Sequence, residues 1–184
     1  MTATKHIVGI SGSLRKQSLN TALLNNVKDL LPVEYTFTLA DISQLPIYNQ
    51  ELEAELPKSV QELAALCKSA DGFLISTPEY NGSISGALKN AFDWMSRSFV
   101  ETPLAMKPAA VMGATPGLYG TSRAQSHLRD ILLYLNMDVV TRPELLIGQA
   151  HEKFDDSMTL TDEMGRKFAQ QLMDKFVVKV ELTK

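Results

Sequence analysis

Short apolar runs alternate with longer segments of helical period five times along this chain, and the alternation leaves few folds open. The apolar runs fall at 6–11, 33–40, 71–76, 108–113 and 139–147, the last interrupted by Pro143. Segments with a helical repeat follow at 18–31, 57–69, 84–96, 121–136 and 161–181. Strands interleaved with helices of this length read as βαβ units on a parallel sheet. Right-handed crossovers then spread the helices over both faces of the sheet. In 33–40, Val33, Tyr35, Phe37 and Leu39 alternate with Glu34, Thr36 and Thr38, the pattern of an edge strand. By contrast, Gly72-Phe73-Leu74-Ile75-Ser76 is apolar on both sides and belongs in the middle of the sheet. Pro57 suits the first turn of its helix, and 41–56 reads as a long loop with Glu51, Glu53 and Glu55 exposed. Met164, Phe168, Leu172, Phe176 and Val180, spaced four apart, outline the last helix.

Nothing in the composition opposes one α/β domain over residues 1–184, and several function classes drop out. The chain has 45% hydrophobic residues and a net charge of −3, so it is not disordered. It shows no run of Lys or Arg, which argues against nucleic acid or anionic lipid as partners. No apolar stretch approaches the length of a membrane span, and the opening residues lack a basic segment leading into an apolar one. A cytoplasmic protein is expected. Cys67 is the only cysteine, which excludes an internal disulfide and a cysteine-based metal site. Its apolar surroundings suit a core residue.

In a doubly wound sheet, ligands sit beyond the carboxyl ends of the strands. The first such loop, Ser11-Gly12-Ser13-Leu14-Arg15-Lys16-Gln17-Ser18-Leu19-Asn20-Thr21, is rich in hydroxyls and leads into a helix N-terminus. That combination fits a phosphate monoester, or plain capping by Ser18 or Asn20. The spacing is wrong for a dinucleotide fingerprint and lacks the Gly-Lys-Ser/Thr of a P-loop. A nucleophile elbow would need Gly in place of Ser13. His6 begins a strand and His127 lies mid-helix, positions more often structural than catalytic, and His151 fits either role though a turn suits it better. The second loop runs Thr77-Pro78-Glu79-Tyr80-Asn81-Gly82-Ser83-Ile84-Ser85-Gly86. Its stiff Pro78 and permissive Gly82 would let backbone amides hold a planar ring beside Tyr80, or form an ordinary turn. In the helix that follows, Phe92 and Trp94 read as core or interface residues rather than ligand contacts, and Asp93 as a group that fixes nearby backbone.

Taken together, G-S-L-R-K-x-S-x-N at 12–20 and T-P-E-Y-N-x-S-x-x-G-x-L-K-N-x-x-D-W at 77–94 resemble the NADPH-dependent FMN reductase family. This flavodoxin-like group includes quinone, azo-dye and chromate reductases. The resemblance implies a three-layer sandwich with a five-stranded parallel sheet in the order 2-1-3-4-5. It also implies FMN as cofactor and NAD(P)H as co-substrate, with electrons passed by a ping-pong mechanism to a small-molecule acceptor. Ser11, Ser13, Arg15, Ser18, Asn20 and Thr21 would hold the phosphate. Pro78, Glu79, Tyr80, Asn81, Gly82 and Ser83 would hold the ring and ribityl chain, and backbone N–H groups near Tyr80–Gly82 would stabilise negative charge on the ring. Thr115 would add a contact from the third loop, 113–121, which departs from the family by carrying Gly120-Thr121 where relatives often have Gly-Gly. No catalytic side chain and no metal ligand is assigned, because the cofactor carries the chemistry. A flavodoxin-type electron carrier without turnover is the alternative.

A homodimer or homotetramer is expected as well. Helix 84–96 carries Phe92, Trp94 and Met95 on more than one face, and helix 121–136 carries Leu128, Ile131, Leu132, Leu133, Tyr134 and Leu135. A helix covering a sheet needs only one apolar stripe. The surplus asks for a second copy or for neighbouring loops of the same chain.

Overall fold

Side-chain alternation along the central strands decides how the layers form. In the computed structural model, which describes residues 4–183, Val8, Ile10, Phe73, Ile75, Ala109 and Val111 face one way. Ile7, Leu74, Ala110 and Met112 face the other. The strands are β1 (His6–Ser11), β2 (Thr36–Ala40), β3 (Gly72–Ser76), β4 (Pro108–Ala114), β5 (Asp138–Val139) and β6 (Leu145–Ile147). The helices are α1 (Leu19–Lys28), α2 (Lys58–Ser69), α3 (Gly86–Met95), α4 (Ser122–Tyr134) and α5 (Glu163–Leu182). Helices α2, α3 and α4 cover the first face through Val60, Leu63, Leu88, Phe92, Leu128 and Leu132. Helices α1 and α5 cover the second through Leu23, Leu24, Val27, Leu172, Phe176 and Val180.

All strand pairs are parallel, in the expected order β2-β1-β3-β4-β5. The flavodoxin-like α/β arrangement is therefore present, with one addition. The expected fifth strand is two pieces: β5 pairs with the start of β4, and β6 pairs with its end. Pro143 lies in the break, since it has no N–H to give a ladder.

Other elements depart from the sequence reading in small ways. Strand β2 starts at Thr36, leaving Val33 fully exposed in the preceding turn. Phe37 instead covers Gly9, where an added Cβ would lie 2.4 Å from its ring. Helix α3 starts at Gly86 because the Ser85 hydroxyl caps it, accepting from Leu88 N–H. In α5 a spacing of four drifts by about 40° per step. Met164 and Phe168 consequently sit off the buried stripe, which runs through Gly165, Ala169, Leu172, Met173, Phe176 and Val180. Glu53 is half-buried and accepts from Tyr48 Oη at 2.6 Å, so only Glu51 and Glu55 are exposed as expected.

The surplus apolar side chains of α3 are covered by the chain itself. Trp94, Phe92 and Met95 are buried, with residues 45–52 folded over them. On α4, Leu133 and Tyr134 remain exposed.

Candidate functional site

Strand register brings the three loops together. Ser11 pairs with Ser76, and Ser76 with Met112, so the carboxyl ends of β1, β3 and β4 are level. Two bonds extend the ladder beyond them: Gly12 N–H to Ser76 O at 2.8 Å and Thr77 N–H to Met112 O at 3.0 Å. Gly12 is also gripped from the side, as the Ser85 hydroxyl donates to its carbonyl at 2.6 Å. An added Cβ on Gly12 would lie 3.0 Å from the Pro78 ring. The first two loops are thus locked to each other before any ligand is considered.

The first loop has the makings of an anion cradle. Ser18 caps α1, its hydroxyl oxygen accepting from Asn20 and Thr21 N–H at 3.2 Å each. Ser11 and Thr21 hydroxyls are bonded to each other at 2.8 Å. Ser11, Ser13 and Ser18 are all buried. Among the described residues, the backbone N–H groups of 14–19 meet no protein acceptor. Successive free N–H groups at the positive end of a helix attract an oxyanion. Arg15 is exposed above them, donating to Gln17 O at 3.1 Å. A cleft of about 270 Å³ runs from Ser13 and Arg15 to Pro78, Tyr80 and Thr115.

Asn20 also has a structural task that the sequence did not reveal. Its amide is buried: Oδ1 accepts from Ala114 N–H and Ser76 Oγ, and Nδ2 donates to Ala114 O, all at 2.9–3.0 Å. It ties the first loop to the ends of β3 and β4, and among the described residues the second Nδ2 hydrogen has no protein acceptor.

The second loop closes as a tight turn. Tyr80 and Ser83 exchange backbone bonds at 3.0 Å, and Asn81 and Gly82 both have positive φ, 52° and 74°. This use of Asn-Gly is what such a turn requires. Tyr80 N–H is consumed by the turn, so the free amides here are those of Asn81 and Gly82. Glu79 is likewise committed. Its Oε2 accepts from Arg123 and Ala124 N–H at 3.1 and 3.2 Å, capping α4 from another loop. That helix needs the help: Thr121 precedes it at φ 65° with no side-chain cap of its own. Tyr80 is half exposed at the mouth of the cleft.

Thr115 and the rest of the third loop are pinned by the segment after β6. Thr115 N–H donates to Ile147 O, Ala150 N–H to Thr115 O, and Gln149 N–H to Gly117 O, at 2.8–3.0 Å. Leu118 and Tyr119 project outward, about 70% exposed. Thr121 takes a left-handed conformation that costs a β-branched residue energy. Its buried hydroxyl accepts from Gln125 Nε2 at 3.2 Å.

Sequence reading missed Ser85, Thr121, Gln125 and the cap made by Glu79. Ser85 alone had a local signal, a hydroxyl three residues before an apolar helical position. Asp93 pairs with Lys89 at 2.5 Å rather than with backbone. Cys67 is fully buried, and burial pushes its thiol up to about 12, so it stays protonated in the core. Among the described residues, no cluster of three His, Cys, Asp or Glu side chains is arranged to hold a metal.

Comparison with known proteins agrees with this geometry. The family model for NADPH-dependent FMN reductases matches residues 6–152, a span containing all three loops. An NAD(P)H-dependent FMN reductase of Pseudomonas aeruginosa is 43% identical over 166 residues, covering 90% of this chain and 89% of that protein. A 2-hydroxy-1,4-benzoquinone reductase of a Burkholderia species is 38% identical, with 92% and 93% covered. Among solved structures, the flavoenzyme NAD(P)H:(acceptor) oxidoreductase FerB of Paracoccus denitrificans superposes with a TM-score of 0.89 at 38% identity, covering 98% of this chain and 99% of that one. With its three loops inside the matched span and relatives aligned over nearly their whole length, the chain belongs to the NADPH-dependent FMN reductase family.

Proposed function

We propose that this chain is one FMN-binding unit over residues 1–184 that oxidises NAD(P)H and reduces a small-molecule acceptor, with quinones as the leading class. The observation that carries the reading is the run of unpaired backbone N–H groups at 14–19, flanked by buried hydroxyls and a helix N-terminus. A phosphate monoester fits that donor set: it has oxygens for several donors and charge for the helix end. Ser13, Ser18, Thr21 and Arg15 would hold the phosphate, with Ser11 orienting Thr21 and Asn20 fixing the loop. Pro78 and the Asn81 and Gly82 amides would hold the ring, beside Tyr80 and Thr115, while Glu79 and Ser83 keep the turn in place. Bound there, FMN supplies electron transfer between the two substrates. The protein's share is position, donors for charge on the ring, and an open rim formed by Tyr80, Leu118 and Tyr119.

A single open face supports ping-pong turnover, in which NAD(P)H and acceptor visit in turn. It also supports a broad range of acceptors, including azo compounds, metal oxyanions such as chromate, and free flavin. We place the protein in the cytoplasm; no helix among the described residues is long and apolar enough to cross a membrane. Self-association through α4 remains part of the proposal, resting on exposed Leu133 and Tyr134.

The test is direct. Purified protein should release FMN on denaturation, identified by mass spectrometry, and anaerobic NADPH or NADH should bleach its visible flavin band. FAD as the main species would refute the phosphate assignment. A band unmoved by either nicotinamide would favour an electron carrier.

Arg15→Ala should weaken FMN binding by about 1–2 kcal/mol, the lower part of the range for a charge-assisted bond because the side chain is exposed. Fluorescence titration measures this. Equal weakening by Lys16→Ala would show that Arg15 has no special contact.

A further inference from the structure

The turn of the second loop is fastened to α4 at two points. Glu79 caps the helix, and one turn further along His127 Nδ1 lies 3.0 Å from Ser83 Oγ. Between these clamps the stem of Arg123 runs beside Gly82, where an added Cβ would lie 3.7 Å from Arg123 Cδ. Ser83 also closes the turn through its backbone bonds with Tyr80. A titratable side chain outside both sequence motifs therefore reaches a residue of the turn that holds the ring. The pair is not a hydrolase dyad, since no carboxylate among the described residues orients the other ring nitrogen of His127.

We propose that His127 is a positioning residue for this turn, and that its protonation changes, through Ser83, what the turn offers to a bound flavin. The proposal rests on the FMN reading above. A neutral ring with its proton on Nε2, the nitrogen without a protein partner, accepts the Ser83 hydroxyl proton at Nδ1. Uptake of a proton from solvent gives both nitrogens an N–H. Nδ1 must then donate to Ser83 Oγ, and the hydroxyl proton is released to donate elsewhere. Acidification thus turns Ser83 from a donor toward the helix into a donor toward the site, and adds positive charge beside the turn. The charged groups around the ring are Arg123 and Asp130, each about one turn away on α4, and Glu79 on the loop side, already committed to the helix N-terminus.

The experiment measures the FMN dissociation constant by flavin fluorescence from about pH 5.5 to pH 8, where imidazole titrates. It compares wild type with His127→Gln, which can still hydrogen-bond but cannot titrate there, and with Ser83→Ala. The FMN phosphate ionises in the same window. That ionisation is common to all three proteins, so the ratio of variant to wild type is the quantity read. On acidification wild type should gain affinity by about three- to tenfold relative to both variants, which should follow one shared curve. Reciprocally, FMN binding should raise the His127 titration midpoint seen by NMR by the matching factor. A ratio that stays flat with pH, or a Ser83→Ala curve that follows wild type, overturns the role of His127. Failure of all three proteins to bind FMN at any pH would instead overturn the flavin reading on which it stands.

Discussion

Replacing Asn20 with Ala is expected to lower the folding stability of the cofactor-free protein by about 3 kcal/mol, as well as weakening FMN retention. The substitution deletes three buried hydrogen bonds and leaves Ala114 N–H, Ala114 O and Ser76 Oγ to be satisfied by nothing or by a water that must enter. A buried group left unpaired costs about 1–3 kcal/mol. The Ser76 hydroxyl can rotate to another acceptor, which leaves two unpaired groups and keeps the sum in the lower half of their combined range. For a chain of this size the melting temperature should fall by about 10 °C. Asn20→Asp should be no milder, because one carboxylate oxygen would face the Ala114 carbonyl. Urea unfolding of the cofactor-free protein distinguishes this role from a ligand contact. An unchanged midpoint with weaker FMN binding would mean that Asn20 touches the phosphate and that its bonds to β4 contribute nothing.

That prediction also marks the limit of what could be read along the chain. The first loop was legible because hydroxyls, Arg15 and a helix start are crowded into eleven residues, and local crowding is visible in a sequence. Asn20 was legible as a polar residue of that loop, but not as a tie, since its partner Ala114 is 94 positions away. Glu79 fails in the same manner: nothing near it announces a helix end 44 residues on. The sheet order came through intact because it follows from chain direction and burial. The break between β5 and β6 was half visible, as a proline within an apolar run. In α3, Trp94 and Phe92 read as core or interface residues; they are buried, and the sequence did not say by what. An apolar face is encoded at its own positions, but the loop that covers it is chosen by the folded geometry.

The second large effect belongs to that cover. Trp94→Ala should cost about 4 kcal/mol, in the range for emptying the site of a buried aromatic. Trp94 is fully buried, and its ring stands edge-on to Tyr48 with centroids 5.0 Å apart and lies 6.3 Å from Phe99. Its indole N–H donates to Pro46 O at 2.8 Å, a carbonyl that also accepts from Asn90 Nδ2 at 2.9 Å. Asn90 Oδ1 in turn accepts from Tyr48 N–H at 2.8 Å. One side chain therefore fills the core under the sheet and anchors the loop above it. The two roles separate by substitution. Trp94→Phe keeps most of the ring and deletes the hydrogen bond; because Asn90 still serves Pro46, it should cost only about 1–2 kcal/mol. Trp94→Ala should release the loop as well, making residues 45–53 the first point of attack by a protease under native conditions. Circular dichroism is the suitable probe of unfolding, because Trp94 is the only tryptophan and both variants lose its fluorescence. If the Ala variant unfolds within about 1 kcal/mol of wild type and its loop resists cleavage, the core has repacked around the gap. Pro46 and Tyr48 would then be held by Asn90 alone.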